Sequence, residues 1–130
     1  MATRVREKSA QRIENKDTRP RAVAKYIRIS PTKVRLLIDL IRGKSVREAE
    51  AIIMNTPKGA AEPVMKLLNS AVANAENNSD LNRDNLYIAE TYVDQGPTLK
   101  RYKAGSRGRA MPQLKRSSHI TIILDEIKEV

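Results

Sequence analysis

The spacing of apolar and polar positions divides the chain into strand-like and helix-like segments. Apolar side chains alternate with polar ones over 22–29 and again over 118–124, as they do in half-buried strands. Between 30 and 77 they recur every three or four residues, which predicts helices, and the run 86–93 predicts another strand. This order predicts an α+β fold: a small three-stranded antiparallel sheet, three helices packed on one of its faces, and a long extended β-hairpin.

Alternation also predicts which strand residues share a face. We expect Val23, Ile27 and Ile29 to lie on one face of the first strand, with Tyr26 and Arg28 on the other. The second strand alternates imperfectly, which indicates a β-bulge. The third strand is expected to present Ile120, Ile122 and Leu124 on one face.

Capping residues indicate where the first two helices begin and end. Ser30 as N-cap followed by Pro31 starts the first helix, which should stop at Gly43. Ser45 and Glu48 have the spacing of a capping box and start the second helix. The predicted core stripe of the first helix is Val34, Leu37, Ile38 and Ile41, widened by Leu36 and Leu40.

The third predicted helix has the clearest helical periodicity. It should begin between 57 and 60, with Pro63 in its first turn, and continue to about Asn77, where a polar loop over 77–80 follows. Its expected core positions are Val64, Leu67, Leu68, Ala71, Val72 and Ala75.

The segment 96–116 carries seven Lys or Arg and no Asp or Glu. It is too long for an ordinary hairpin turn, so we interpret it as two arms that extend the flanking strands and turn near 105–108. At about 3.3 Å per residue, arms of roughly ten residues would project about 30 Å. The alternative is a disordered basic loop. The strand predicted at each end favours the ordered hairpin.

The chain has a net charge of +10, and this charge is distributed unevenly along the sequence. Residues 1–44 contain thirteen basic and four acidic groups, whereas 45–95 contain four basic and eight acidic ones. Two basic blocks on one domain favour an anionic partner, most often nucleic acid. Residues 1–21 are interpreted as a mobile basic extension of a single domain, whose globular part is 22–95 and 117–130 and whose hairpin is 96–116.

Composition argues against several functional classes. The chain has no Cys and one His, so thiolate metal sites and a histidine-based triad are not expected, and neither is a cofactor. No apolar run approaches a membrane span and the N-terminus lacks a secretory h-region, so a cytoplasmic protein without a membrane partner is expected. No set of residues with catalytic spacing is recognisable, so an enzyme is not expected. Structured RNA suits the basic hairpin, and a dimeric DNA-binding regulator is the alternative function.

Several motifs closely resemble the bacterial family of large-subunit ribosomal protein twenty-two. They are YIRISPTKVRLLIDLIRG (26–43), LNSAVANAENN (68–78), YVDQGPTLKR (92–101), RGRA (107–110) and KRSSHIT (115–121). Together they cover nearly all of 22–124. One departure is Ala104-Gly105, where the family commonly has Pro-Arg before the hairpin tip.

The resemblance implies a structural constituent of the large ribosomal subunit that binds 23S rRNA and supports subunit assembly. The hairpin tip would help line the exit tunnel, so the implied partners are rRNA, neighbouring ribosomal proteins and the nascent peptide. The predicted rRNA-binding residues are Lys25, Arg28, Lys33, Arg35, Lys100, Arg101, Lys103, Arg107, Arg109, Lys115, Arg116 and His119. The predicted tunnel-facing tip is Gly105, Ser106, Arg107, Gly108, Arg109 and Ala110.

Overall fold

A three-stranded antiparallel sheet and a separate two-stranded ribbon make up the β-structure of the computed structural model, which describes residues 2–127. The sheet has the order β1-β5-β2 and the ribbon pairs β3 with β4. In chain order the elements are α1 (Ala2–Glu14), β1 (Arg21–Ile27), α2 (Pro31–Ile41), α3 (Val46–Met54), α4 (Ala61–Ser79), β2 (Leu86–Gln95), β3 (Leu99–Ala104), β4 (Ala110–Lys115) and β5 (Ser118–Glu126). The predicted fold class is confirmed, and the structure adds a fourth helix, α1.

The core lies between the sheet and the helices α2, α3 and α4. β5 is the central strand, and its residues 120, 122 and 124 are fully buried against the helices, as predicted. The expected core stripe of α4 is also buried. Burial of these apolar side chains is the main stabilising contribution to the fold.

The phase of β1 differs from the prediction because a bulge interrupts the strand. Its register with β5 shifts between Ala24 and Ile27, where Tyr26 adopts a φ of 58°. An extra residue reverses the alternation before it. Ala22 is therefore buried and Val23 is 46% exposed, whereas Ile27 and Ile29 pack against the core. The prediction that Val23 shares their face is wrong.

Two leucines of α2 were also predicted wrongly as core residues. Leu36 and Leu40 are 58% and 51% exposed, while the remaining stripe of the helix is fully buried. The reason is that α2 packs on the core along one side only, and a helix buries a limited arc of its surface in such a position.

The helix ends largely follow their predicted capping residues. Ser45 Oγ accepts a hydrogen bond of 3.3 Å from the N–H of Glu48, and Gly43 follows α2 with a φ of 73°. Ser30 occupies the N-cap position, although its side chain makes no capping hydrogen bond. The predicted polar loop at 77–80 is wrong for 77–79, because α4 continues to Ser79 and ends at Asp80 in the left-handed conformation.

The basic extension contains a helix that periodicity did not predict. Residues 3–14 of α1 are exposed throughout, so no buried stripe marks it in the sequence. The mobility of 1–21 stays a prediction. Over 2–127, none of the helices is long and apolar enough to cross a membrane, and no three His, Cys, Asp or Glu are grouped as a metal ion would require.

Candidate nucleic-acid interface

The basic segment 96–116 forms a narrow antiparallel ribbon beyond the sheet. β3 and β4 pair from Leu99 opposite Lys115 to Ala104 opposite Ala110, and every residue of both strands is exposed. Within 2–127, none of the seven cations of this segment forms an ion pair with a carboxylate. The extended hairpin is thus confirmed, and its positive charge is available to an external anion.

The register of the hairpin separates its cations from most of its apolar side chains. Residues paired directly across an antiparallel ribbon project from the same face. One face therefore carries Arg101 beside Gln113 and Lys103 beside Met111, with Lys115 beside Leu99. The opposite face carries Tyr102 beside Pro112, Ala104 beside Ala110, and Lys100 beside Leu114. The first face suits phosphates, and the second, with Tyr102 72% exposed, suits bases or sugars.

The tip turns where the glycines predicted it. The chain reverses direction over Ser106–Gly108, where Arg107 and Gly108 both adopt positive φ, 55° and 70°, and the N–H of Arg109 donates to the carbonyl of Ser106 at 3.3 Å. The N–H of Gly105 donates to the carbonyl of Arg109 at 2.7 Å and closes the loop. A Cβ on Gly105 would lie 3.1 Å from Met111 Cγ, so this chain packs its tip more tightly than a larger residue at 105 would allow.

The root of the hairpin is fixed by hydrogen bonds around Ser117. Its carbonyl accepts from the N–H of Gly96 at 2.9 Å, and its Oγ donates to the carbonyl of Pro97 at 2.6 Å. Beside it, His119 Nδ1 accepts from the N–H of Tyr26 at 3.0 Å, and the two rings meet edge to face. His119 therefore joins β1 to the hairpin root, and sequence analysis did not foresee this contact.

The predicted cations of the globular part occupy different environments. Lys25, Arg28 and Lys33 are exposed. Arg35 donates from Nη2 to the carbonyl of Val93 at 2.8 Å, so part of its guanidinium is used to hold α2 against β2. Arg42, which was not among the predicted binding residues, similarly donates to the carbonyl of Thr91 at 3.0 Å.

A groove of about 750 Å³ lies between the hairpin root and the helices. It brings together four predicted residues from separate segments, Arg28, Lys33, Lys115 and Arg116. Sequence analysis missed a fifth cation, Lys58, because it lies in the acidic middle of the chain and only folding brings it to the hairpin. The remaining lining residues are Ile29, Ser30, Leu36, Gly59, Ala60 and Leu114.

The segments that form the hairpin and the groove lie within a stretch of the chain that matches a known protein family. The family described as Ribosomal protein L22p/L17e matches residues 22–125, which include the sheet except its terminal residues Arg21 and Glu126, the helices α2–α4 and the hairpin. The chain belongs to this family. The extension with α1 lies outside the L22p/L17e match.

Individual members of the L22p/L17e family are similar over most of their length. The large ribosomal subunit protein uL22 of Desulfitobacterium hafniense (strain DSM 10664 / DCB-2) is 60% identical over 109 residues, which are 84% of this chain and 96% of that protein. The uL22 proteins of Carboxydothermus hydrogenoformans and Halothermothrix orenii are 61% and 56% identical with the same coverage. The resemblance seen in the sequence motifs is thereby confirmed.

Proposed function

We propose that this chain is a structural constituent of the large subunit of the cytoplasmic ribosome and binds 23S rRNA without a catalytic step. The observation that carries the proposal is the exposed hairpin, whose seven cations have no carboxylate partners within 2–127. Membership of the L22p/L17e family and relatives named as large ribosomal subunit proteins support it.

Binding would rest on release of counterions from the RNA. Each phosphate neutralised by Lys or Arg frees condensed cations, and this favours binding most at low salt. A paired ribbon anchored at Ser117 can place such contacts away from the body of the protein, between RNA segments that the body does not touch. By joining those segments the hairpin would support subunit assembly.

The tip, Gly105–Ala110, would contribute to the wall of the exit tunnel and meet the nascent peptide. Its short side chains at 105, 106, 108 and 110 leave Arg107 and Arg109 as the groups that reach outward. Neighbouring large-subunit proteins would contact the globular part.

The rRNA proposal predicts a change in salt dependence when arm cations are removed. In the variant Lys100→Ala/Arg101→Ala, the slope of log affinity against log salt should become shallower by about 1.5, because two phosphate contacts are lost. Affinity for large-subunit rRNA would be measured by filter binding at several salt concentrations, together with incorporation into reconstituted subunits. Lys44→Ala/Arg47→Ala removes the same charge away from the hairpin and should leave the slope unchanged. Equal slopes for both variants, or tighter binding to duplex DNA than to rRNA, would contradict the proposal.

The tunnel proposal predicts cross-linking from the tip to the nascent peptide. The chain lacks cysteine, so Ser106→Cys provides a unique attachment point for a cross-linker. Ribosomes that carry this variant and a stalled peptide should yield a peptide adduct at 106. A cysteine at Lys44 on the globular part should give none. Absence of an adduct at 106 in fully incorporated protein would count against a tunnel-facing tip.

A further inference from the structure

The groove at the hairpin root is lined by cationic side chains, which we call its rim, and by exposed apolar side chains, which we call its floor. Its lining includes five Lys or Arg and no Asp or Glu. Leu36 and Leu114 face it from α2 and β4 and remain 58% and 47% exposed. Apolar side chains left this open beside concentrated charge indicate a ligand that is both apolar and anionic.

Each wall of the groove is held in place by the fold. The loop that carries Lys58 is fixed by hydrogen bonds from the N–H of Lys58 to the carbonyl of Thr56 at 2.8 Å and from Ala61 to Lys58 at 2.9 Å. Lys33 and Leu36 lie one helical turn apart on α2, and Leu114 belongs to the paired part of the hairpin. The groove therefore exists before any ligand arrives.

Size and chemistry favour a single unpaired nucleotide over other anionic groups. A volume of about 750 Å³ lies within the range of pockets that take small ligands, so the groove has room for a nucleotide. Single-stranded RNA is recognised by bases turned out of the stack, with phosphates on either side. Such a nucleotide would cover the leucines with its base and meet the rim with its phosphates.

We propose that this groove takes one unpaired nucleotide of large-subunit rRNA, with its base packed on Leu36 and Leu114 and its flanking phosphates on Lys33, Lys58 and Lys115. The inference rests on the proposed function and adds Leu36, Lys58 and Leu114 to the RNA-binding residues. Loss of a phosphate contact changes the salt dependence of binding, whereas loss of an apolar contact with a base does not. The proposed base contact and the proposed phosphate contacts can therefore be tested separately.

The test compares truncations of the floor with truncation of the rim. Leu36→Ala/Leu114→Ala should weaken rRNA binding about fivefold while leaving the salt slope unchanged, because apolar contact is lost and no cation is removed. Lys58→Ala should weaken binding and make the salt slope shallower by about 0.8. Leu40→Ala/Met54→Ala removes similarly exposed apolar side chains outside the groove and should bind like the wild type. Thermal unfolding of every variant confirms that the fold is retained.

A benzophenone photo-cross-linker at position 114 identifies the occupant. A cross-link to one unpaired nucleotide of the rRNA supports the proposal, and a cross-link to a neighbouring protein in reconstituted subunits overturns it. If Lys58→Ala and Leu36→Ala/Leu114→Ala bind normally while Lys100→Ala/Arg101→Ala binds weakly, the groove proposal fails and the proposed function stands. If the wild-type chain does not bind the rRNA, both fail.

Discussion

Residues with positive φ mark the places where this chain changes direction. Gly43 ends α2, Tyr26 forms the bulge of β1, Asp80 ends α4, and Arg107 and Gly108 turn the hairpin tip. For a residue with a Cβ, this conformation costs roughly 1 kcal/mol or more, and Asp is among the residues that tolerate it best. Tyr26 is the least expected of these residues, and its contacts with His119 explain how the conformation is held.

Gly43 offers a direct measure of this conformational cost. A Cβ there would meet no atom within 4 Å, so Gly43→Ala should lose only the energy of placing Ala at positive φ, about 1 kcal/mol. We expect the unfolding midpoint to fall by about 4 °C. Gly59→Ala is the matched control, because a Cβ at 59 is also free of contacts and the backbone lies outside the positive-φ region. A Gly43→Ala protein as stable as the Gly59→Ala protein would show that the turn adjusts without cost.

At the scale of elements, the hairpin depends on its root. Neither arm contributes a buried residue, so packing cannot fix the direction in which the ribbon leaves the sheet. The buried Ser117 links the two arms where they meet, by its bonds to Gly96 and Pro97. Gly96 has no space for a side chain, since its Cβ would lie 2.5 Å from Ser117 Oγ.

Coupling between Gly96 and Ser117 is therefore testable with a double-mutant cycle. Ser117→Ala should lower the free energy of unfolding by about 1 kcal/mol, because the hydrogen bond to the carbonyl of Pro97 is lost. Gly96→Ala should lower the unfolding free energy by about 1 kcal/mol more in the wild-type background than in the Ser117→Ala background. The reason is that the Ser117 Oγ, which the new Cβ at position 96 would displace, is already absent from Ser117→Ala. Unfolding free energies from urea titrations measure the cycle, and amide exchange of 99–115 reports on the arms. Gly59→Ala combined with Ser117→Ala should be additive, and additivity of Gly96→Ala as well would refute the coupling.

At the scale of the whole molecule, one cation joins the N-terminal extension to the sheet. Arg19 Nη2 lies 2.7 Å from Asp17 Oδ2 and 2.8 Å from Glu90 Oε1 on β2. These carboxylates raise the pKa of Arg19 further above its usual value. The side-chain and backbone hydrogen bonds from Arg19 lower the pKa of Asp17 from 3.8 to about 2. The tether thus connects a segment outside the family match to β2, which lies within it.

The ion pair between Arg19 and Asp17, which orients the Arg19 side chain, predicts a specific acid dependence. Because the pKa of Asp17 is lowered in the folded protein, its stabilising contribution is complete above about pH 3.8 and disappears as the pH falls through about 2. Carbon-detected NMR should show Asp17 titrating near pH 2 in the wild type and near 3.8 in Arg19→Ala. Arg21→Ala should change that pKa far less, because Arg21 acts only through its charge and more weakly. An unshifted Asp17 in the wild-type protein would rule out its ion pair with Arg19 in solution.

Helices and strands differ in how accurately the sequence predicts them, depending on whether their signals are local. The periodicity of α4 and the capping residues of α3 are local properties, so both helices were predicted within a few residues. α1 was not predicted, because an exposed helix carries no periodic apolar signal. Val23 was misplaced because an inserted residue in β1 changes the phase of the strand without changing its composition.

The sequence by itself determined the strands and helices after the N-terminal extension, the cationic hairpin and the position of its turn. Helix periodicity, capping, glycine placement and charge runs act between residues close along the chain. Only the tertiary structure decided which cations act together. Lys58 and Lys33 meet Lys115 and Arg116 in one groove because α2, the loop before α4 and the hairpin converge at the same side of the sheet. Their positions along the chain do not predict this convergence, because the packing of the core determines which segments meet.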